Sequence, residues 1–294
     1  MKFGMFIYEP TPVEGFDLQV YRLKSERGIV GTPNPEMTTN IACFGDNNMA
    51  AKHPDWVQIS KDGPALRTNK KYNLRWDIVC NNEKQMVDYM LDLIEDTAEK
   101  TKGITVSSMH VADHGFCTCP RCKEAHAKSG LDWLEWRAQT VTDFIKSAKE
   151  RVKNKPFYVG LLPDPVNAYE RFGLDFNALS EYVDFFHVPL SAHNYVTMYW
   201  VDTLTRDFKK LLKKPIFIEL SAEIARDVET KALLRTIAYI SSHDVEAVLL
   251  LVHDVERAKE ICKTAVNDFI YRGWLEKFGF ENMNKIIERW EKIY

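Results

Sequence analysis

The 294-residue sequence predicts an α/β chain closed into a (β/α)8 barrel of TIM type, on three observations. From residue 81 onward, short β-rich apolar runs alternate with longer helical stretches, the pattern of a parallel sheet covered by helices. The runs end in polar or charged residues, namely Asp113, Asp164, His187, Glu219 and His253-Asp254, and a barrel gathers the carboxyl ends of its strands around one mouth. No repeat, linker or low-complexity tract divides the chain. Residues 1–294 therefore read as one domain, with extra helices around 264–294.

Taken in order, a first strand is expected over 2–8, followed by Glu9. Residues 16–26 read as a short helix, 28–31 as a short second strand, and 40–44 as a third strand leading to Asp46. The segment 47–79 then reads as a long loop carrying His53-Pro54-Asp55-Trp56 and Trp76. Long loops in compact domains are usually functional or disordered, and the aromatics favour function. A helix over 83–102 presents Met86, Tyr89, Met90, Leu93 and Ile94 on one face and stops at Gly103. The remaining strands are expected at 104–111, 157–162, 183–188, 216–220 and 247–252, with helices at 133–153, 203–212 and 229–242.

Composition narrows the function classes. At 45% hydrophobic, 28% charged and net charge −3, the chain has the balance of a globular protein. It carries no basic field for nucleic acid and no polybasic anchor for lipid. No apolar run approaches the ~20 residues that span a membrane, and the first residues are too soon acidic for a signal peptide. These features predict a cytoplasmic protein without nucleic-acid or membrane partners, and leave a homo-oligomer open.

The six cysteines are unevenly spread. Cys117, Cys119 and Cys122 form a C-x-C-x-x-C cluster, whereas Cys43, Cys80 and Cys262 lie in apolar segments. Three thiols so close can wrap a thiophilic metal such as zinc. A tetrahedral site needs a fourth ligand, for which Cys80, His110, His114 and His126 compete. Loops after consecutive barrel strands are neighbours, which brings Cys80 within reach. The competing account is free thiols, or a redox pair at Cys119 and Cys122, on a surface loop. A site of four cysteines leaves no open position for water, so its metal is scaffolding.

His53-Pro54-Asp55-Trp56, Lys61-Asp62-Gly63, Cys80-Asn81-Asn82, Asp113 and the cysteine cluster together resemble barrel glycoside hydrolases, in particular family-42 β-galactosidases and related uncharacterised glycosidase-like families. The resemblance spans roughly residues 40–137. It implies structural zinc on Cys80, Cys117, Cys119 and Cys122. It also implies a carbohydrate substrate and a catalytic pair of carboxylates after strands four and seven, here Asp113 as acid/base and Glu219 as nucleophile or base. One position departs from the pattern, since Ala112-Asp113 stands where family 42 carries Asn-Glu.

Glycoside hydrolysis uses one carboxyl group to protonate the leaving oxygen and another to attack or to activate water, about 5–5.5 Å apart in retaining and about 6.5–9.5 Å apart in inverting enzymes. Glu223 is a substitute for Glu219. An ion-paired Glu219, or an Asp113 that only orients the metal loop, are the plainer readings. Sugar subsites pair aromatic platforms with polar groups. Trp56, Trp76, Tyr195, Tyr199 and Trp200 are candidate platforms, and His187, His253, Asp164 and Asp254 candidate polar partners. Trp133, Trp136, Trp274 and Trp290 read as packing residues. The shortened acid residue makes a second class credible, a non-catalytic carbohydrate-binding or interaction protein on a degenerate zinc-clamped barrel.

Overall fold

The computed structural model describes residues 1–190, 198–222 and 230–294. Eight parallel strands close into a barrel: β1 (Lys2–Ile7), β2 (Leu18–Lys24), β3 (Thr38–Ala42), β4 (Gly103–Ser107), β5 (Phe157–Gly160), β6 (Phe185–Pro189), β7 (Ile216–Ser221) and β8 (Ala247–Val252). Closure is made by β1 against β8, in register from Lys2 opposite Ala247 to Ile7 opposite Val252. The strands are buried on both faces, as parallel strands wrapped by helices must be.

Two sets of side chains divide along each strand. Phe3, Met5, Ile7, Ile104, Val106, Ile216, Ile218 and Leu220 face outward into the helix-covered core. Phe6, Val20, Tyr158, Phe217 and Leu249 face inward. Tyr158, Phe185 and Phe217 stack at centroid distances of 5.1 to 5.3 Å and fill the barrel interior. Gly4 is required on this inner face, because a Cβ there would meet the Leu18 carbonyl oxygen at 2.4 Å and the Leu249 side chain at 2.6 Å.

Seven of the eight expected strands lie where the sequence placed them; the second does not. Residues 16–26 hold β2 in place of a helix, and of 28–31 only Val30 pairs, in an isolated bridge to Lys24. In β2 the inward Leu18, Val20 and Arg22 and the outward Gln19, Tyr21 and Leu23 both mix polar with apolar residues, so no period-2 signal marks the strand. β4 ends at Ser107, short of the expected 111, because Ser108 takes a left-handed φ of 52°. Segment 47–79 is a structured excursion rather than a featureless loop. It contains a helix (Asn47–Lys52), a 3-10 turn (Pro54–Trp56), a hairpin pairing Ile59 with Pro64, and bridges from Gly45 to Ile78 and Val57 to Val79.

The helices Lys84–Ala98, Trp133–Val152, Met198–Leu211 and Thr230–Ser241 flank the barrel near their expected positions. Beyond β8 come Val255–Asn267, Phe269–Phe278 and Glu281–Trp290. The last of these seals the amino ends of β1 and β2. Trp290 is fully buried, packs edge-on against Phe3 at 5.0 Å and donates its indole N–H to the Gly15 carbonyl at 3.0 Å. Among the described residues no helix is long and apolar enough to cross a membrane.

Candidate functional site: the barrel mouth and a four-cysteine centre

The cysteine centre is assembled from two segments. Cys80 follows the bridge at Val79 and donates its backbone N–H to the Trp56 carbonyl at 2.8 Å. Cys119 caps the helix Pro120–Ser129, and Pro120 at the first helical position places Cys122 in the first turn. The sulfurs of Cys80, Cys117, Cys119 and Cys122 are buried and lie within 4.8 Å of one another, with Cys80 3.3 Å from Cys122 and 3.7 Å from Cys119. Sulfurs around a tetrahedral zinc with bonds of about 2.3 Å sit about 3.8 Å apart, which this cluster approaches.

Three N–H groups point at the sulfurs, each at 3.4 Å: Ile59 N to Cys117, Asn82 N to Cys80 and Asn82 Nδ2 to Cys122. Donors aimed at sulfur favour thiolate over thiol. The thiols compete for protons, hydrogen bonds among them pushing Cys80 and Cys122 up and Cys117 and Cys119 down, and four thiolates this close would repel one another. A cation among them relieves that repulsion, so the donor set fits a thiophilic metal ion. The competing histidines are engaged elsewhere. His110 holds the Val111 carbonyl, His114 the Asp113 carboxylate and His126 the Leu131 carbonyl.

A buried polar network ties this centre to the exit of β4. Gln58 Nε2 donates to Asn81 Oδ1 at 2.6 Å, Asn81 Nδ2 to the Met109 carbonyl at 2.6 Å, and Ala112 N to Gln58 Oε1 at 2.9 Å. It directs the chain to Asp113, where Arg171 makes a two-point bond to the carboxylate at 3.0 and 2.9 Å. Arg171 also reaches Asp164 at 2.9 Å, and His114 donates its backbone N–H to Asp113 at 2.8 Å. Burial pushes the Asp113 carboxyl up, but Arg171 and His114 outweigh it and hold it below the usual aspartate range. Beneath, the buried Arg137 donates to the carbonyls of Asp113, Glu170 and Arg171, and burial depresses its pKa to about 10.

Glu219 occupies a different setting. It shares the inward face of β7 with Phe217, at the carboxyl end of the strand, and is 5% exposed. His187, inward on β6 and 5.5 Å from the Phe6 ring, brings Nε2 to 3.0 Å from Glu219 Oε2. That nitrogen makes no hydrogen bond, so the two side chains are in contact without hydrogen-bond alignment. Across the barrel, Arg22 Nη1 donates to the Tyr8 hydroxyl at 2.9 Å and to Glu26 at 3.1 Å. Its guanidinium lies over the Phe6 and Tyr8 rings at 5.1 and 4.9 Å. Burial, opposed by Arg22 and reinforced by the charges of Glu26 and Glu219, raises the Tyr8 phenol. Ser108 approaches Glu26 at 3.5 Å.

Tyr8, Arg22 and Glu26 escaped the sequence reading. The last two are hidden in the segment read as a helix. Glu9 and Asp46, which the sequence offered at strand ends, stand elsewhere: Glu9 is exposed, and Asp46 forms a buried 2.8 Å ion pair with Lys24 while capping the helix after β3.

The expected aromatic platforms separate. Trp56 is 8% exposed and stacks on His53 at 3.9 Å, while its carbonyl accepts the Cys80 N–H. Trp76 is half-buried beside the mouth; its indole lies so close to Gly45 that a Cβ there would meet it at 2.6 Å and Ser108 at 3.0 Å. Trp200 is 53% exposed in the first turn of the helix after β6, edge-on to Tyr199. Asp254 caps the helix after β8, accepting from Arg257 N at 2.8 Å, and His253 packs edge-on against Tyr8 at 4.8 Å. Tyr195 and Glu223 lie outside the described residues.

No family model matches the chain, and no curated protein is similar to it in sequence. Among solved structures it is similar to α-L-fucosidase isoenzyme 2 from Paenibacillus thiaminolyticus, with a TM-score of 0.51 and 11% identity over 92% of this chain and 44% of the fucosidase chain. It thus spans less than half the length of that enzyme. The endo-1,4-β-mannanase from Rhizomucor miehei gives a TM-score of 0.49 at 11% identity, over 87% of this chain and 91% of that one. A D-psicose 3-epimerase from Clostridium cellulolyticum H10 gives 0.38 at 12% identity, over 98% and 99%. At such identities the likeness bears on the barrel fold alone.

Proposed function

We propose that this chain is a glycoside-hydrolase-like enzyme that binds a carbohydrate at the carboxyl mouth of its barrel and cleaves a glycosidic bond with Glu219 as nucleophile or base. The observation that carries the reading is Glu219 itself. A carboxylate nearly closed off from water, on the inward face of a barrel strand, with His187 3.0 Å away, is costly for stability alone and suited to chemistry at the mouth. Trp76 beside the mouth supplies an apolar face for a sugar ring, and Tyr8, Arg22 and His187 supply polar partners. In this reading the four-cysteine centre takes zinc and holds the loop that carries Asp113.

Asp113 is the second carboxylate of the proposal. Arg171 keeps it ionised, so its service as proton donor requires that pair to open when substrate arrives. The same ion pair favours the second reading, a barrel that binds carbohydrate without cleaving it. A panel of aryl glycosides assayed on the intact protein and on Glu219→Gln, with sugar binding followed by saturation-transfer NMR, separates the two. Hydrolysis lost in Glu219→Gln while binding persists supports the enzyme. Binding without hydrolysis selects the second reading, and neither binding nor hydrolysis removes both.

A further inference from the structure

The mouth carries a cavity of about 460 Å³ between the ends of β1, β2 and β8, whose lining includes Tyr8, Arg22, Glu26, Arg27, Ile29 and His253. Its charge is unbalanced, with two guanidinium groups against one carboxylate. Glu26 is committed to Arg22 Nη1, so its charge is matched within the wall. Arg22 is held by that bond, by the Tyr8 hydroxyl and by the two aromatic rings beneath it. Its Nε is buried without a hydrogen bond, and its Nη2 has no protein partner among the described residues. Arg27 is exposed at the cavity, and its side chain forms no ion pair among the described residues.

We infer that this cavity is a specificity pocket for an acidic sugar, in which Arg22 and Arg27 receive a carboxylate or phosphate group of the substrate. The inference rests on the reading that the mouth binds carbohydrate, and deepens it by naming the substrate class. Neutral hydroxyls need one donor or acceptor each and no net field, whereas two guanidinium groups facing one cavity match the planar, charge-assisted recognition of an anion. The surplus charge is local, since the chain as a whole carries −3. Tyr8 joins this pocket to the proposed reacting centre, because its phenol lies within the field of Arg22, Arg27 and Glu219 together.

The test is calorimetric titration of the whole protein with glucuronate, galacturonate, glucose 6-phosphate, the neutral parent sugars and inorganic phosphate, at about 0.05 and about 0.3 M NaCl. Arg27→Ala and Arg27→Glu are titrated alongside; Arg27 is exposed, and an unchanged Tm confirms that the variants fold. The expected result is that at least one acidic sugar binds roughly ten-fold tighter than its neutral parent. That preference weakens in high salt and disappears in Arg27→Glu, while neutral-sugar affinity is unchanged. Equal affinity for acidic and neutral sugars, indifferent to Arg27, overturns the acidic-sugar pocket and leaves the carbohydrate reading standing. Inorganic phosphate binding as tightly as glucose 6-phosphate overturns the sugar as ligand of the pocket. No binding of any sugar overturns the carbohydrate reading with it.

Discussion

Glu219, near the carboxyl end of β7, and Asp113, beyond β4, are both carboxylates on the mouth side of the barrel, yet their surroundings differ. Asp113 is matched by Arg171 and His114, and its lowered pKa means that the folded state favours the charged form. The resulting stability is present above the unfolded aspartate value of about 3.9 and is lost as the pH falls through the folded value. Asp113→Asn is therefore expected to cost about 2 kcal/mol in urea denaturation at pH 7. The deficit should shrink below pH 4, where the intact protein loses the same contribution. Glu219 is buried beside His187, and glutamine keeps its shape and much of its hydrogen-bonding capacity, so Glu219→Gln is expected to leave the Tm within a few degrees. On the enzyme reading it lowers turnover by roughly 10²- to 10⁴-fold, measured with whichever aryl glycoside the intact protein cleaves. A large fall in stability with no change in turnover would reverse these two roles.

At the scale of elements, the cysteine centre joins the excursion after β3 to the loop after β4. Two segments, one contributing Cys80 and the other Cys117, Cys119 and Cys122, share one buried cluster and the Gln58–Asn81 network beside it. A metal there closes a long loop and satisfies four sulfurs that repel one another as thiolates. Elemental analysis is expected to find one zinc per chain. Cys119→Ser should abolish it and lower the Tm by on the order of 10 °C, given about 2 °C per kcal/mol for a chain of this size. Protein that contains no metal, and whose Tm is indifferent to both Cys119→Ser and chelator, would leave four buried thiols packed as small hydrophobes.

Across the whole molecule, a packed helix closes one end of the barrel and polar side chains collect at the other. Trp290 and Arg289 lock the amino ends of β1 and β2, Arg289 Nη2 meeting Asp17 at 2.8 Å. Tyr8, Arg22, His187 and Glu219 gather at the other end. Trp290→Ala removes a fully buried indole and is expected to cost about 3–5 kcal/mol. Because that residue is remote from the mouth, sugar binding measured well below the new Tm should match that of the intact protein. A change in affinity of more than a few-fold would show that the two ends are coupled.

The sequence by itself determined the barrel, seven of its strands and the cysteine cluster. Alternation of apolar runs with helical periods is a local signal, and so is the spacing of three thiols within six residues. Strand order even put Glu219 at the carboxyl end of the seventh strand. Tertiary structure alone decided the rest. β2 carries no usable period because both of its faces are buried and mix polar with apolar residues, so Arg22 and Glu26 entered the mouth unannounced. The burial of Trp56, the half-exposure of Trp76, the Arg171 bond to Asp113 and the choice of Cys80 over three histidines are all contacts between segments distant in the chain. Periodicity reports which face of an element is apolar; which partner meets that face is fixed only when the eight strands close on one another.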